Sequence, residues 1–323
     1  MVKEIELMCD EEQRLDIFLS AELDENRSQI AQLLKQECVF IKGKLVTKAG
    51  TKLRDGDLVV VRLPEAESIE PQEIDFDVEI IYEDDDVLVI NKPTDLTVHP
   101  APSVKEPTLV DWLKHKGIAL STISGEERHG IVHRLDKGTS GAMVIAKNND
   151  AHEKLSKQLQ DKSMGRYYLA VVTPPLKEDI VEVDRAIGRS SHNRLKMACI
   201  EGAKEAKTHF APLLYSHDES EQLIACKLFT GRTHQIRVHL EILNRHILGD
   251  HLYGSTKKES KTERILLHAY IIYFIHPSSG KLVSFRADFD EQFGEYLTKK
   301  FDKDKIYETT QDSYIISRFS TDY

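Results

Sequence analysis

The run His133-Arg134-Leu135-Asp136-Lys137-Gly138-Thr139-Ser140-Gly141 holds one carboxylate among residues suited to keep it charged. Ile131-Val132 lead into it, and Ala142-Met143-Val144-Ile145-Ala146 leaves it as a near-continuous apolar strand. A polar loop between buried strands is where a rigid frame presents a reactive group. Arg134 and Lys137 favour the charged form of Asp136, and Thr139 and Ser140 can donate to it. Gly138 and Gly141 permit backbone geometry closed to residues with a Cβ. A carboxylate so placed can act as nucleophile or general base. The same spacing fits a turn aspartate bonded to its own loop backbone, and spacing alone leaves both open.

A second cluster, Thr230-Gly231-Arg232-Thr233-His234-Gln235-Ile236-Arg237-Val238-His239, leaves a strand ending at Phe229. It enters a helix predicted over 233–245, with Thr233 as N-cap and Ile236, Leu240 and Leu243 as the buried stripe. Arg237 falls in the first turn, one residue off that stripe. A cation there opposes the helix dipole, which a carboxylate partner would compensate. A surface arginine covering apolar area with its stem is the alternative. Tyr167-Tyr168 open a strand predicted over 167–172, and alternation lets only one of them face a cleft. A tyrosine in a cleft can stack on an unstacked base; an ordinary core tyrosine fits the strand equally. Fourteen histidines include no H-E-x-x-H set. His234 and His239, five apart, diverge by about 140° on a helix, so no metal site is expected.

These groups need a frame. With 323 residues the chain is long enough for two domains. In residues 1–62, Leu15, Phe18 and Leu19 share one helical face and Ile30, Leu33 and Leu34 another, with strands predicted at 39–41 and 58–61. Residues 63–80, acidic and holding Pro64 and Pro71, fit a linker. In residues 81–290, led by Glu79-Ile80-Ile81-Tyr82, many strands alternate with few helices, at 108–116, 150–161 and 233–245. That pattern predicts an α+β domain on a mixed, largely antiparallel sheet. No dinucleotide or phosphate-loop fingerprint follows a strand, which argues against a nucleotide cofactor. The tail, 291–323, shows no clear period and is expected to dock loosely.

The net charge of −10 is unevenly spread. Residues 26–62 hold eight Lys/Arg against three Asp/Glu, and 88–287 hold 29 against 22, while 63–87 hold eleven acids and no base. Both candidate working units are therefore basic, as phosphate binding requires. Four scattered cysteines without a C-x-x-C pair fit a reducing cytoplasm. Neither a signal peptide nor a spanning apolar stretch is read, so no membrane partner is expected.

Together these segments resemble the RluA/RluD-type pseudouridine synthases over about 80–290. Residues 133–141 are similar to the family's H-R-L-D-x-x-T-S-G signature. Asn91-Lys92-Pro93 with Val98-His99-Pro100 resembles N-K-P-x-G-x-x-V-H-P, although Asp95 stands in place of its glycine. Gly231 to His239 resembles G-R-x-H-Q-I-R-x-H, Tyr168-Leu169-Ala170 resembles Y-x-A, and Leu267-His268-Ala269 resembles L-H-A. The first unit resembles the S-four-like alpha-L RNA-binding module, through Arg14-Leu15-Asp16, Arg27-Ser28-Gln29-Ile30 and Leu53-Arg54-Asp55-Gly56-Asp57.

The resemblance implies isomerisation of uridine to pseudouridine in RNA without a cofactor. Asp136 would be the catalytic aspartate, Arg237 its ionic partner and Tyr168 the base-stacking tyrosine. Arg134, Lys92, His99, Arg27, Lys42, Lys44 and Arg232 would contact RNA. Large-subunit ribosomal RNA is the first substrate expected, transfer RNA the second, and the enzyme a monomer. A non-catalytic RNA-binding protein of the same architecture is the competing outcome.

Overall fold

The computed structural model describes residues 3–23, 27–35, 37–63, 74–100, 104–123, 129–254 and 262–320. The chain divides into two units, Met1–Gln72 and Glu73–Tyr323.

In the first unit, β1 (Lys3–Met8) and β2 (Gln13–Arg14) precede α1 (Leu15–Glu22) and α2 (Arg27–Lys35). Strands β3 (Val39–Ile41), β4 (Lys44–Leu45), β5 (Lys52–Leu53) and β6 (Leu58–Leu63) follow. The sheet order is β1-β6-β3-β4, with β2 and β5 paired separately. Leu15, Phe18, Leu19, Ile30 and Leu34 are buried against Val39, Val59 and Val61, the helical faces marked by their spacing. Strand β1 has no counterpart in the sequence-based assignment. Glu4 and Glu6 give that segment its acidic look, while Ile5 and Leu7 alternate inward against β6.

The second unit contains β7 (Glu79–Glu83), β8 (Val87–Lys92), α3 (Leu109–His115), β9 (Ser140–Ala146) and α4 (Asn149–Asp161). It continues with β10 (Gly165–Thr173), β11 (Val181–Asp184), β12 (Ile187–Arg189), β13 (Met197–Cys199), β14 (Lys207–Tyr215) and β15 (Gln222–Leu228). Then come α5 (Gln235–Ile242), β16 (His246–Ile247), β17 (Leu267–Ile275), β18 (Leu282–Arg286), α6 (Glu291–Lys300), α7 (Lys303–Thr309) and α8 (Asp312–Ser317). The main sheet runs β11-β14-β15-β10-β17-β9-β8-β7, with β16 beside β10 and β18 beside β17. Of its pairings, β9–β17 is parallel, joining Ser140 to His268 and Gly141 to Ala269, and the others are antiparallel.

Both faces of the central strands are covered, which explains their near-continuous apolar sequences. On one face Leu88, Ile90, Met143 and Ile145 join Trp112 of α3 and Ile236 and Leu240 of α5. On the other, Val87, Val89, Val144 and Ala146 meet Ala151 and Leu155 of α4. Helix α3 starts with a reciprocal Thr108–Asp111 capping box, and α4 with Asn148 accepting from the Ala151 N–H.

Two boundaries differ from expectation. Ile74, Phe76 and Val78 of the supposed linker pack on the main core, so the second unit begins before 80. Its acidic residues alternate outward, and that concealed three apolar anchors. The tail expected to dock loosely forms α6, α7 and α8 instead, with Phe293, Leu297, Phe301 and Ile315 buried. Its stripe is one apolar residue per turn at 293, 297 and 301, diluted by charge, and Asp290 and Asp302 cap α6 and α7.

Candidate active site

Asp136 sits in the turn before β9, where its carbonyl accepts the Thr139 N–H at 3.0 Å. Its carboxylate is about a quarter exposed and, among the described residues, makes no hydrogen bond. The nearest cation is Arg237 Nη1 at 3.7 Å, an ion pair rather than a hydrogen bond, and His234 Nε2 lies at 3.9 Å. The neighbours expected to serve Asp136 are engaged elsewhere. Arg134 donates to Thr233 Oγ1 at 2.8 Å, and Lys137 pairs with Glu106 at 2.8 Å. Ser140 Oγ donates to His268 Nδ1 at 2.8 Å and accepts from Arg264 at 3.0 Å. The carboxylate is thus positioned by its backbone, with a free face toward the pocket.

Arg237 does have a carboxylate partner at the start of α5, but the tight one is Asp250. Arg237 Nε and Nη2 meet the two Asp250 oxygens at 2.7 and 2.8 Å, a planar fork. Burial would raise the Asp250 carboxyl, yet the Arg237 hydrogen bond and charge, with the Tyr253 and Leu252 N–H groups, hold it below its usual range. Burial acts to lower Arg237, and Asp250 outweighs it and raises it. The guanidinium also lies 4.9 Å from the Tyr253 ring centroid. An Asp thirteen residues downstream, beyond the end of the helix, follows no local periodicity, and spacing did not reveal it.

Helix α5 begins at Gln235 rather than Thr233. His234 takes the cap position at φ 58° without a side-chain cap bond, and Thr233 Oγ1 accepts from Arg134 instead. His234 Nδ1 meets the Tyr253 hydroxyl at 2.9 Å, and burial lowers the imidazole's pKa. His239 is buried between Thr208 Oγ1 and the Arg185 carbonyl, as a core histidine.

Of the two tyrosines on β10, Tyr168 faces the site, and Tyr167 packs against Tyr273 and Phe319. Asp136, Tyr168, Arg237, Arg134, Arg232 and His234 line one pocket. It adjoins a wider cleft that also takes in His99 and shares Arg134, Arg166 and Arg232 with the pocket.

The RNA-contact set divides. Arg134 and Arg232 are exposed and His99 is half-buried on the cleft. Lys42 and Lys44 are exposed on the first unit, with Lys42 paired to Asp57 at 2.5 Å. The Arg27 side chain lies outside the described residues. Lys92 is a correction. It is fully buried, and its ammonium donates to the Pro93, Leu96 and Lys137 carbonyls at 2.8, 2.8 and 3.2 Å. Three protein acceptors use its three donors, so it ties the 93–96 turn to the Asp136 loop and presents nothing to RNA. Asp95, in the glycine position of that turn, adopts φ 61°.

A cluster of possible metal ligands, Asp84, Asp86 and His276, lies outside both the pocket and the cleft. Asp84 is already bonded by Tyr82 and His276, and Asp86 by Ser278 and Asn148.

Residues 86–242 match the family model described as RNA pseudouridylate synthase, and 13–59 match the S4 domain. An uncharacterized RNA pseudouridine synthase of Helicobacter pylori strain J99 is 48% identical over 316 residues, covering 95% of each chain. A ribosomal large subunit pseudouridine synthase D of Zymomonas mobilis is 39% identical over 289 residues, covering 85% of this chain and 90% of that one. Among solved structures, human RNA pseudouridylate synthase domain containing 1 has a TM-score of 0.57 at 24% identity, covering 72% of this chain and 94% of that one, a likeness of fold. With near-full-length relatives and both family models in order, the chain belongs to the RNA pseudouridine synthase family and carries an S4 domain ahead of the catalytic fold.

Proposed function

We propose that this enzyme isomerises a uridine in structured RNA through Asp136, Tyr168 and Arg237, with large-subunit ribosomal RNA as first substrate and transfer RNA as second. The observation that carries this is one pocket in which a carboxylate about a quarter exposed, without a hydrogen-bond partner among the described residues, faces a buried tyrosine and a guanidinium. The name borne by the Zymomonas relative supports the choice of ribosomal RNA.

In the reaction the N1–C1′ bond breaks, the C5–C1′ bond forms, the C5 proton leaves to solvent and N1 takes one up. Asp136 is the group that acts on the nucleoside, and Arg237 supplies its nearest positive charge. Tyr168 is held by burial above the usual phenol pKa, so it stays neutral at neutral pH. A neutral ring suits stacking and hydrogen bonding better than abstraction by a phenolate. The target atom lies inside the base stack, so the uridine must be flipped out, at a cost of a few kcal/mol. Phosphate contacts along the cleft offset that cost. His99, Arg134 and Arg232 there, with Arg27, Lys42 and Lys44 of the S4 domain, are the proposed RNA contacts.

Tritium release from RNA labelled at uridine C5, measured separately on ribosomal and transfer RNA, tests this. Wild type should release tritium from at least one, and Asp136→Asn from neither, while keeping its RNA affinity. Full turnover by Asp136→Asn would overturn the mechanism. RNA binding without release by wild type would favour a non-catalytic binder.

A further inference from the structure

Arg166 has no assigned task, and its surroundings are unusual. It is 7% exposed and, among the described residues, makes no hydrogen bond and no ion pair; its Nε is buried without a partner. A buried guanidinium left unpaired is costly, and a chain keeps one where a ligand completes it. Alternation along β10 puts Arg166 on the same face as Tyr168. Its side chain lines both the Asp136 pocket and the adjoining cleft, at their junction. Across from it Gly231 leaves room: a Cβ there would lie 3.1 Å from Arg166 Nη1.

His133 lines the same cleft, also buried. Its Nε2 accepts the Val144 N–H at 3.2 Å, which leaves the ring proton on Nδ1, again without a partner. Two unsatisfied donors therefore share one wall. Lys162, Arg189, Lys204 and Arg232 line the same cleft, with Glu205 as the acid. A guanidinium fork matches paired phosphate oxygens. Its place at the mouth of the pocket is where the backbone of a flipped nucleotide must pass.

We propose that Arg166, assisted by the Nδ1–H of His133, is the subsite for a phosphodiester flanking the uridine that enters the Asp136 pocket. This rests on the uridine chemistry proposed above. Burial, with the Arg166 charge adding to it, pushes His133 down to about 3, which keeps it a neutral donor at neutral pH.

The test uses the full-length enzyme and a synthetic stem-loop around the uridine located by tritium release. The stem-loop is made with ordinary phosphodiesters, or with an uncharged methylphosphonate on the 5′ or the 3′ side of that uridine. Wild type should lose about 100-fold in kcat/KM at one of the two positions, and Arg166→Gln should lose as much on ordinary RNA. Combining the two should add no further loss, and Arg166→Lys should recover part of it. Because Arg166 has no hydrogen-bond or ion-pair partner among the described residues, Arg166→Met should keep or raise the urea midpoint. Wild-type kcat/KM in Arg166→Gln, losses that multiply at both positions, or a lowered midpoint in Arg166→Met would overturn the subsite alone. Absence of tritium release by wild type would remove the uridine chemistry, and the subsite with it.

Discussion

Arg237 divides its guanidinium between two carboxylates of different character. Asp250, 1% exposed, takes the planar fork, and Asp136 is left with the remaining edge at 3.7 Å. The fork fixes where the positive charge sits, so Asp250 positions the cation that lies 3.7 Å from Asp136. Asp250→Asn should leave a buried charge short of its partner and cost roughly 3 kcal/mol of stability. Displacement of Arg237 should lower kcat by about 100-fold while KM changes little. Stopped tritium release and urea unfolding measure the two effects; unchanged kcat would mean that Asp250 serves the fold alone. At this scale motif order singled out Asp136, Tyr168 and Arg237, and these three line one pocket. The sequence was silent on Asp250 and misleading on Lys92, since a lysine buried against three carbonyls looks, in sequence, like any surface cation.

Strand β9 carries the Asp136 loop, and its pairing with β17 is made at Ser140 and Gly141. The tighter approach is at Gly141. There φ is 114°, and a Cβ would stand 2.2 Å from the Ala269 carbonyl oxygen. Gly141→Ala should therefore cost about 3 kcal/mol or more through strain and overlap, read as a fall in the urea midpoint. Tritium release should fall in the same variant even where it remains folded. Most catalytic-domain strands and helices were legible because both sheet faces are buried and the apolar runs are long. The departures share one physical cause. In β1, in 74–78 and in α6, the apolar anchors are spaced among charges, so local composition reads as solvent while alternate or every fourth positions are buried. Helix α5 is capped by His234 rather than by Thr233, and Thr233 bonds Arg134 across the pocket, a long-range contact that local cap chemistry does not encode.

The whole molecule is acidic by sum, yet Arg134, Lys162, Arg166, Arg189, Lys204 and Arg232 line one cleft. RNA affinity should fall steeply with salt. Deleting residues 1–72 should weaken that affinity by about 100-fold, through loss of a linked binding module, while kcat stays near wild type. An affinity unchanged by the deletion, measured by filter binding, would make the S4 domain's basic surface incidental. Stability should depend on pH through two buried histidines. Burial pushes His133 down to about 3 and His268 down to about 4. In the unfolded chain both take up a proton near 6.5. Their contribution is therefore complete above pH 6.5 and declines as pH falls, since the unfolded state is protonated first. The loss should reach about 3 kcal/mol for each by pH 4. Urea midpoints at pH 7 and 4.5 check this, and His268→Gln should flatten the slope. The strand order has a further effect, on synthesis. Asp136 precedes β9 and Tyr168 lies on β10, and the strand between them is β17, which leaves the ribosome more than ninety residues after Tyr168. A nascent chain that has not yet released Leu267–Ile275 has its carboxylate and its tyrosine on strands with nothing to join them. Catalytic competence thus arrives late and all at once, after the S4 domain is already free to fold and hold RNA.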